Sequence, residues 1–277
     1  MAESPRSKAR RKRRAWLERL GLLLLAALLV FSATPTGQWA WQRLYTLSGF
    51  RGPAEEAPLE LHFIDVGKAD AILLQCQGKT ALLDAGTWAS GSRVVDYLHR
   101  MGVGRLDYII ASHPDSDHIG GLAQVLEEIP AESLVIYPWP EEMRQSEEFR
   151  QLEEAAFSKQ VPVLEVEAGD ELPFGETYLQ ILGPLKVYEE TNDCSLVVRL
   201  EYEAFSALFC GDIENAAELD LVKSGADLDA DLLKVAHHGS AGSSSERFLE
   251  AVSPVYAVIS VGPDNSQLPR EETLRRL

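Results

Sequence analysis

Histidine is scarce in this chain of 277 residues, with six in all, and cysteine is scarcer still at three. The three thiols, Cys76, Cys194 and Cys210, are odd in number and match no zinc-binding spacing, so neither a disulfide framework nor a thiolate metal site organises the fold. Each sits in an apolar, strand-like setting, which predicts small buried side chains. Basic residues are short as well, with 26 Lys and Arg against 43 Asp and Glu and a net charge of −17. That excludes a broad cationic face for gripping a phosphate backbone, though not a phosphodiester held mainly by metal ions. Long apolar runs are confined to one segment, Leu20 to Ala33, which cannot form a channel alone.

That segment follows a strongly basic start. Arg6, Lys8, Arg10, Arg11, Lys12, Arg13, Arg14 and Arg19 precede it, and Leu22 to Leu25 and Leu28 to Phe31 leave it no polar face. A basic region before an apolar run shorter than the ~20 residues that span a bilayer is an export signal. Either cleavage follows Ala33, or residues 1–33 remain as a membrane anchor extended by Trp39 and Trp41 at the outer interface. Residues 34–58, rich in Pro, Gly, Ala and Glu, read as a linker, and 59–277 as a single domain facing outside or secreted. Without residues 1–33 the balance is 18 basic against 41 acidic side chains, or −23.

The densest chemistry lies in Ser112-His113-Pro114-Asp115-Ser116-Asp117-His118-Ile119-Gly120-Gly121, directly after the apolar run Leu106 to Ala111. Two imidazoles and two carboxylates at positions i, i+2, i+4 and i+5 are the ligand types that divalent zinc or manganese accepts, in a spacing suited to a loop folded around an ion. The glycine pair lets the chain turn tightly into the next element.

HPDSDHIGG resembles the HxDxDH signature of metallo-β-lactamase-fold hydrolases, in the variant with aspartate for the second histidine. With HFIDVGKADAILL (62–74), LLDAG (82–86), NDCSLVVRLEY (192–202), CGDIE (210–214) and LLKVAHHGSAGSSS (232–245), the chain from about residue 59 onward is similar to the soluble domain of ComEC competence proteins. The residue pattern predicts a mixed α/β domain, and the resemblance implies a four-layer αββα sandwich. Strands are expected at 59–66, 70–75, 79–84, 106–111, 134–137, 161–166, 177–182, 196–202, 206–210, 232–236 and 255–261, with helices near 91–100, 119–128, 143–158, 214–224 and 246–252.

The remaining candidates follow strand ends. Asp212, after the apolar strand Ala207 to Cys210, either caps the helix at Glu214 or, as the resemblance implies, bridges two ions. His237 and His238 follow Leu232 to Ala236. Adjacent residues of an extended chain point oppositely, so one of the pair binds metal; His237 is preferred, and His238 then hydrogen-bonds or contacts substrate. Gly239, Ser240 and Ser243 to Ser245 offer donors to an anion. Asp84 is either a turn former or, by the resemblance, the carboxylate that orients the metal loop from behind. The family's DVGQGDA loop reads here as Asp65 to Ala71 with Lys68, a cation able to hold a substrate phosphate. No histidine stands between His118 and His237, so Asn192 or Ser195 occupies the place of the third histidine that many relatives use. Near the end, Ser266-Gln267-Leu268-Pro269 replaces the family's Gly-His-Pro. His62 and His99 read as structural.

These residues imply a binuclear, metal-assisted hydrolase. Two divalent ions, zinc favoured and manganese possible, are held by His113, Asp115 and Asp212 and by Asp117, His118, Asp212 and His237, with Asp117 or Asp115 taking the proton. Lys68, Asn192 and Ser240 are candidate substrate contacts. The resemblance implies an exported nuclease or phosphodiesterase acting on single-stranded DNA or a small phosphodiester, in contact with DNA-uptake machinery. The alternatives are a hydrolase of another extracellular ester, such as a phosphocholine-type cell-wall group, and a non-catalytic binding module.

Overall fold

Two short apolar runs flanking Gln77-Gly78 start the fold. Both turn residues adopt positive φ, 48° and 81°, and Cys76 pairs with Lys79, so β2 (Ile72–Cys76) and β3 (Lys79–Leu83) close as a two-residue hairpin. The structure is a computed structural model that describes residues 31, 34, 58–263 and 267–277. The predicted export segment and linker lie outside these, apart from Phe31, Thr34 and Pro58. No helix among the described residues is long and apolar enough to cross a membrane.

Residues Ala57–Leu277 form one unit with two six-stranded sheets. The first runs in the order β1 (Leu59–Phe63), β2, β3, β4 (Leu106–Ile110), β5 (Ala131–Ile136), β6 (Val163–Glu165). Its first three strands form an antiparallel meander; β3 to β6 are parallel. The crossovers carry α1 (Gly91–Arg100), then α2 (Ser116–Ile119) with α3 (Leu122–Glu128), then α4 (Glu147–Ser158). The second sheet repeats the plan. The strands β7 (Glu171–Phe174), β8 (Thr177–Gly183), β9 (Val197–Tyr202) and β10 (Phe205–Phe209) are antiparallel. They are followed by parallel β11 (Leu232–Lys234) and β12 (Tyr256–Val258), reached through α5 (Asn215–Ser224) and α6 (Glu246–Val252). A last helix, α7, spans Glu271–Arg276.

Local chemistry explains the helices. In α1 the buried residues Gly91, Val94, Val95 and Leu98 recur at helical spacing on one face. Ser146 caps α4 by accepting the Phe149 N–H at 3.1 Å, with Glu147 and Glu148 in the favourable first turn. Between the sheets the apolar side chains merge into one core in which Leu73, Leu74, Leu82, Ile109 and Leu208 are fully buried, and Phe63 meets Phe209 at 6.5 Å between ring centroids. Truncating one of these leucines to alanine costs about 2–5 kcal/mol.

The elements differ from the sequence reading at several points. The helix expected over 119–128 is two pieces, because the Gly121 N–H leaves the helical ladder for Gly86 O at 3.0 Å while Asp117 O and His118 O accept the Asp70 and Ala85 N–H groups; Gly120 and Gly121 also pass too close to Ser116 O and Ala85 O for a Cβ. Strand β7 went unread: it is a four-residue edge strand carrying Pro173, whose missing N–H an edge tolerates because no further strand needs that donor. Cys194 lies in a 3-10 turn, Asn192–Cys194, not in a strand, while all three cysteines are free and buried.

The topology fixes where chemistry can sit. Since β3 and β4 are parallel, and so are β10 and β11, the loops after all four leave carboxyl ends of neighbouring strands, where α/β sheets place ligands. Asp84, His113, Asp212 and the histidine pair each follow one of these ends.

Candidate metal centre

Asp84 leaves β3 with φ 58°, a left-handed turn that points its carboxylate along the next loop. Its Oδ1 accepts the Ser112 N–H at 2.8 Å, and its Oδ2 accepts the Ser112 hydroxyl at 2.6 Å and faces His118 Nδ1 at 2.8 Å. With Nδ1 held from behind, His118 presents Nε2 inward. His113 is anchored similarly, its Nδ1 3.0 Å from the Ser112 hydroxyl and its ring 4.1 Å from that of His118. Asp117 and His118 lie on α2 rather than in an irregular loop, and Asp115 precedes its first residue.

From the second sheet, Asp212 puts Oδ1 3.2 Å from His118 Nε2 and Oδ2 3.6 Å from His238 Nε2. The helix-capping alternative for Asp212 does not hold, since that task falls to Asp193, whose Oδ1 accepts the N–H groups of Glu214 and Ala217 at 2.7 and 3.2 Å. Asp212 is itself held by the Ser195 hydroxyl, which receives its N–H at 3.1 Å.

The histidine pair is arranged otherwise than an extended chain would have it. Both residues take left-handed conformations, φ 46° and 52°, in a tight turn. His238 is fully buried, its Nδ1 2.9 Å from Ser260 O and its Nε2 3.6 Å from Asp117 Oδ2. His237 is partly exposed, with Nδ1 2.8 Å from Glu214 Oε1 and 3.4 Å from Asn192 Nδ2, and Nε2 3.9 Å from Asp212 Oδ2. The structure therefore brings His238, not His237, among the ligand atoms, and leaves His237 and Asn192 at the rim.

Three ligand-type groups cluster within 4.8 Å: His113, His118 and Asp212; Asp117, His118 and His238; and Asp70, Asp84 and His118. The carboxylates of the third are engaged elsewhere, Asp84 with Ser112 and His118 and Asp70 Oδ2 with Lys234. Asp115 stands at the mouth, about half exposed, its Oδ2 3.9 Å from His113 Nε2. Lys68 Nζ lies 2.7 Å from Asp117 Oδ2. Ser240 turns into its own loop, receiving the Gly242 N–H at 3.4 Å. The donors expected from Ser243 to Ser245 are consumed: the Ser243 hydroxyl reaches Ala236 O, and the backbone N–H groups of Ser244 and Ser245 serve the buried Glu218. His62 pairs with Tyr97 and Glu60 away from the site.

Electrostatics divides the two loop histidines. Burial, then the neighbouring His118, lowers the pKa of His113 to about 4, so it is neutral and ligand-ready. Burial disfavours charge on His118 too, but Asp212 and Asp84 on either side outweigh it and raise its pKa well above the ordinary value. Asp212 is the converse: burial opposes its charge, and His118, His113 and His238 hold it well below the carboxylate range. Asp117 is lowered despite burial by His238, His118 and Lys68, whereas Asp115 is raised by burial and by Asp117.

Residues 64–262 match the sequence model of the family described as the metallo-beta-lactamase superfamily. The chain belongs to the metallo-β-lactamase superfamily. Within it, the chain is 33% identical to competence protein ComA of Neisseria gonorrhoeae, over 89% of this chain and 34% of that one. It is 31% identical to Recombination protein 2 of Haemophilus influenzae (77% and 26%) and 29% identical to ComE operon protein 3 of Bacillus subtilis strain 168 (79% and 30%). The chain thus spans about a quarter to a third of the length of these curated relatives. The superfamily implies a divalent metal, and the residues present fit one. His113 Nε2, His118 Nε2, His238 Nε2 and Asp212 Oδ1 are buried and make no hydrogen bond. Orphaned buried polar atoms are rare and cost about 1–3 kcal/mol each. These four belong to the two groupings that share His118, and cations held there would satisfy them.

Sequence reasoning passed over Lys234, a charged residue inside the otherwise apolar run Leu232 to Ala236, and Ser112, whose hydroxyl joins Asp84 to both loop histidines. The first had a visible signal, a lone lysine in a core strand; the second had none.

Proposed function

We propose that this chain is the catalytic domain of an exported or membrane-anchored metal-dependent phosphodiesterase, acting on single-stranded DNA or a small phosphodiester. The carrying observation is the pair of overlapping ligand groupings built from two sheets, with four orphaned ligand atoms among them, in a chain that has a competence protein among its relatives. The reading extends to a binuclear site: His113, Asp115 and Asp212 on one side, Asp117, His118, Asp212 and His238 on the other, for zinc or manganese. It also includes the outer helical layers of an αββα sandwich and an apolar N-terminal segment that carries the domain across the membrane.

Bound divalent ions supply an acidified water and neutralise charge that develops on the phosphate. The rest falls to the chain. Asp115 is the better proton acceptor, because its pKa is raised while Asp117 is tied to Lys68 and His238 and held low. Lys68, beside Asp117 and partly exposed, is placed to hold a phosphate oxygen. Asp84 and Ser112 keep the loop histidines aimed, and Asn192 and His237 form the rim a substrate meets. With −23 on residues 34–277, contact is confined to a few nucleotides, so single strands are favoured over long duplexes.

The test is a substrate panel with the purified domain and manganese or zinc. Bis(p-nitrophenyl) phosphate and single-stranded DNA should be cleaved faster than duplex, and Asp115→Ala should abolish both. Cleavage of a carboxylic ester or lactone without diester cleavage would favour the ester-hydrolase reading, and turnover of neither the binding module.

A further inference from the structure

The ligand set is split between sheets, with His113, Asp117 and His118 on the first and Asp212 and His238 on the second, so something must fix the distance between the halves. Among the described residues, Asp70 and Lys234 form the one lysine or arginine ion pair with both side chains almost wholly buried, at 2% and 1% exposure and 2.8 Å. Asp70 precedes β2 in the first sheet, and Lys234 ends β11 in the second. We propose that Asp70 and Lys234 are positioning residues that hold the two halves of the metal centre in register across the sheets.

Asp70 is a junction for the first half. Its N–H donates to Asp117 O at 3.2 Å, and its carbonyl accepts the Gly86 N–H at 2.7 Å, two residues beyond Asp84. Between these, the Ala85 N–H donates to His118 O at 2.8 Å, so one backbone knot joins Asp70, the Asp84 turn and the ligand loop. Lys234 does the same for the second half. Its Nζ also donates to Val235 O at 2.9 Å, gripping the chain three residues before His238. Asp70 Oδ1, a buried atom without a hydrogen bond, lies 3.9 Å from His238 Nδ1. Its charge favours a proton on Nδ1, which Ser260 O also receives, and so leaves Nε2 free toward the site.

Stability does not account for the pair. Burying two charges costs several kcal/mol of desolvation, and apolar replacements of similar volume are often neutral or stabilising. A buried pair between two ligand-bearing sheets is better explained by geometry.

The proposal rests on the chain binding a divalent ion and not on its cleaving DNA. It is tested with the full chain, metal-free and cobalt-loaded, by thermal unfolding, chelator-competition affinity and the visible spectrum of bound cobalt. The double variant Asp70→Leu/Lys234→Met should unfold, metal-free, at or above the native temperature, yet bind cobalt at least tenfold more weakly with an altered spectrum. Asp70→Asn should also lose at least tenfold in affinity, and Lys186→Met, which removes an exposed pair with Asp220, should change neither reading. Native affinity and spectrum in the double variant would overturn the proposal. So would failure of the metal-free double variant to fold, since the pair would then hold the fold and not the ligands. Absence of cobalt binding by the native chain would instead overturn the metal reading itself.

Discussion

Both sheets begin with an antiparallel meander and end in parallel strands, and both deliver side chains from parallel carboxyl ends, but they furnish the metal centre by different routes. The first sheet packs four ligand-type residues between His113 and His118 and braces two of them with Asp84 and Ser112. The second supplies Asp212 and His238 from separate strand ends, each held by a distant partner, Ser195 for Asp212 and Ser260 for His238. The ligands of the first half are thus concentrated in one loop that Asp84 braces from the adjoining strand end, and those of the second are assembled from separate strand ends.

If that contrast is right, His118→Ala does the most damage, because His118 belongs to both groupings of possible ligands and contacts Asp212 from the other sheet. Metal content should fall below one ion per chain, and diester turnover by more than the roughly 100-fold upper end for losing a ligand's supporting partner. Next comes the histidine pair: His238→Ala should lose metal nearly as severely, measured by elemental analysis after dialysis, while His237→Ala retains it and loses less than about tenfold in turnover. Reversed phenotypes would place the second sheet's ligand at the rim. Asp84→Asn probes the bracing of the first half, and a drop in metal affinity of about 10–100-fold is expected; an unchanged affinity would mean that the loop orients itself.

The smallest effect is in protons. His118, held charged between Asp212 and Asp84, must release its proton to bind metal, whereas His113 is already neutral. Calorimetry in buffers of different ionisation enthalpy should therefore show about one proton released per ion near pH 7. The same shifts act oppositely on the metal-free fold. The lowered pKa of His113 gives stability that is present above its ordinary value of 6.5 and lost as pH falls toward about 4. The raised pKa of His118 gives stability present below 6.5 and lost as pH rises through its folded value.

The same contrast governs what could be read from residues alone. His113, Asp115, Asp117 and His118 announce themselves because a single loop concentrates them, and Asp84 and Asp212 were located by strand-ending motifs. The histidine pair is less legible: an extended chain would point the two oppositely and leaves the choice open, while two successive left-handed residues bury His238 and leave His237 partly exposed. No periodicity encodes that turn. The serines after Gly239 look like anion donors in sequence, but Glu218, distant in the chain, accepts the backbone N–H of Ser244 on Oε1 and that of Ser245 on Oε2. Strand β7 was hidden by Pro173 and by its edge position, where pattern is weakest.

The most direct measurement is an anomalous difference map from crystals of the domain soaked in manganese or zinc. The account requires a peak within bonding distance of His118 Nε2, His238 Nε2 and Asp212, with ligands from both sheets on one ion. No peak among these atoms, or a peak coordinated by His237 with His238 left outside, would contradict it.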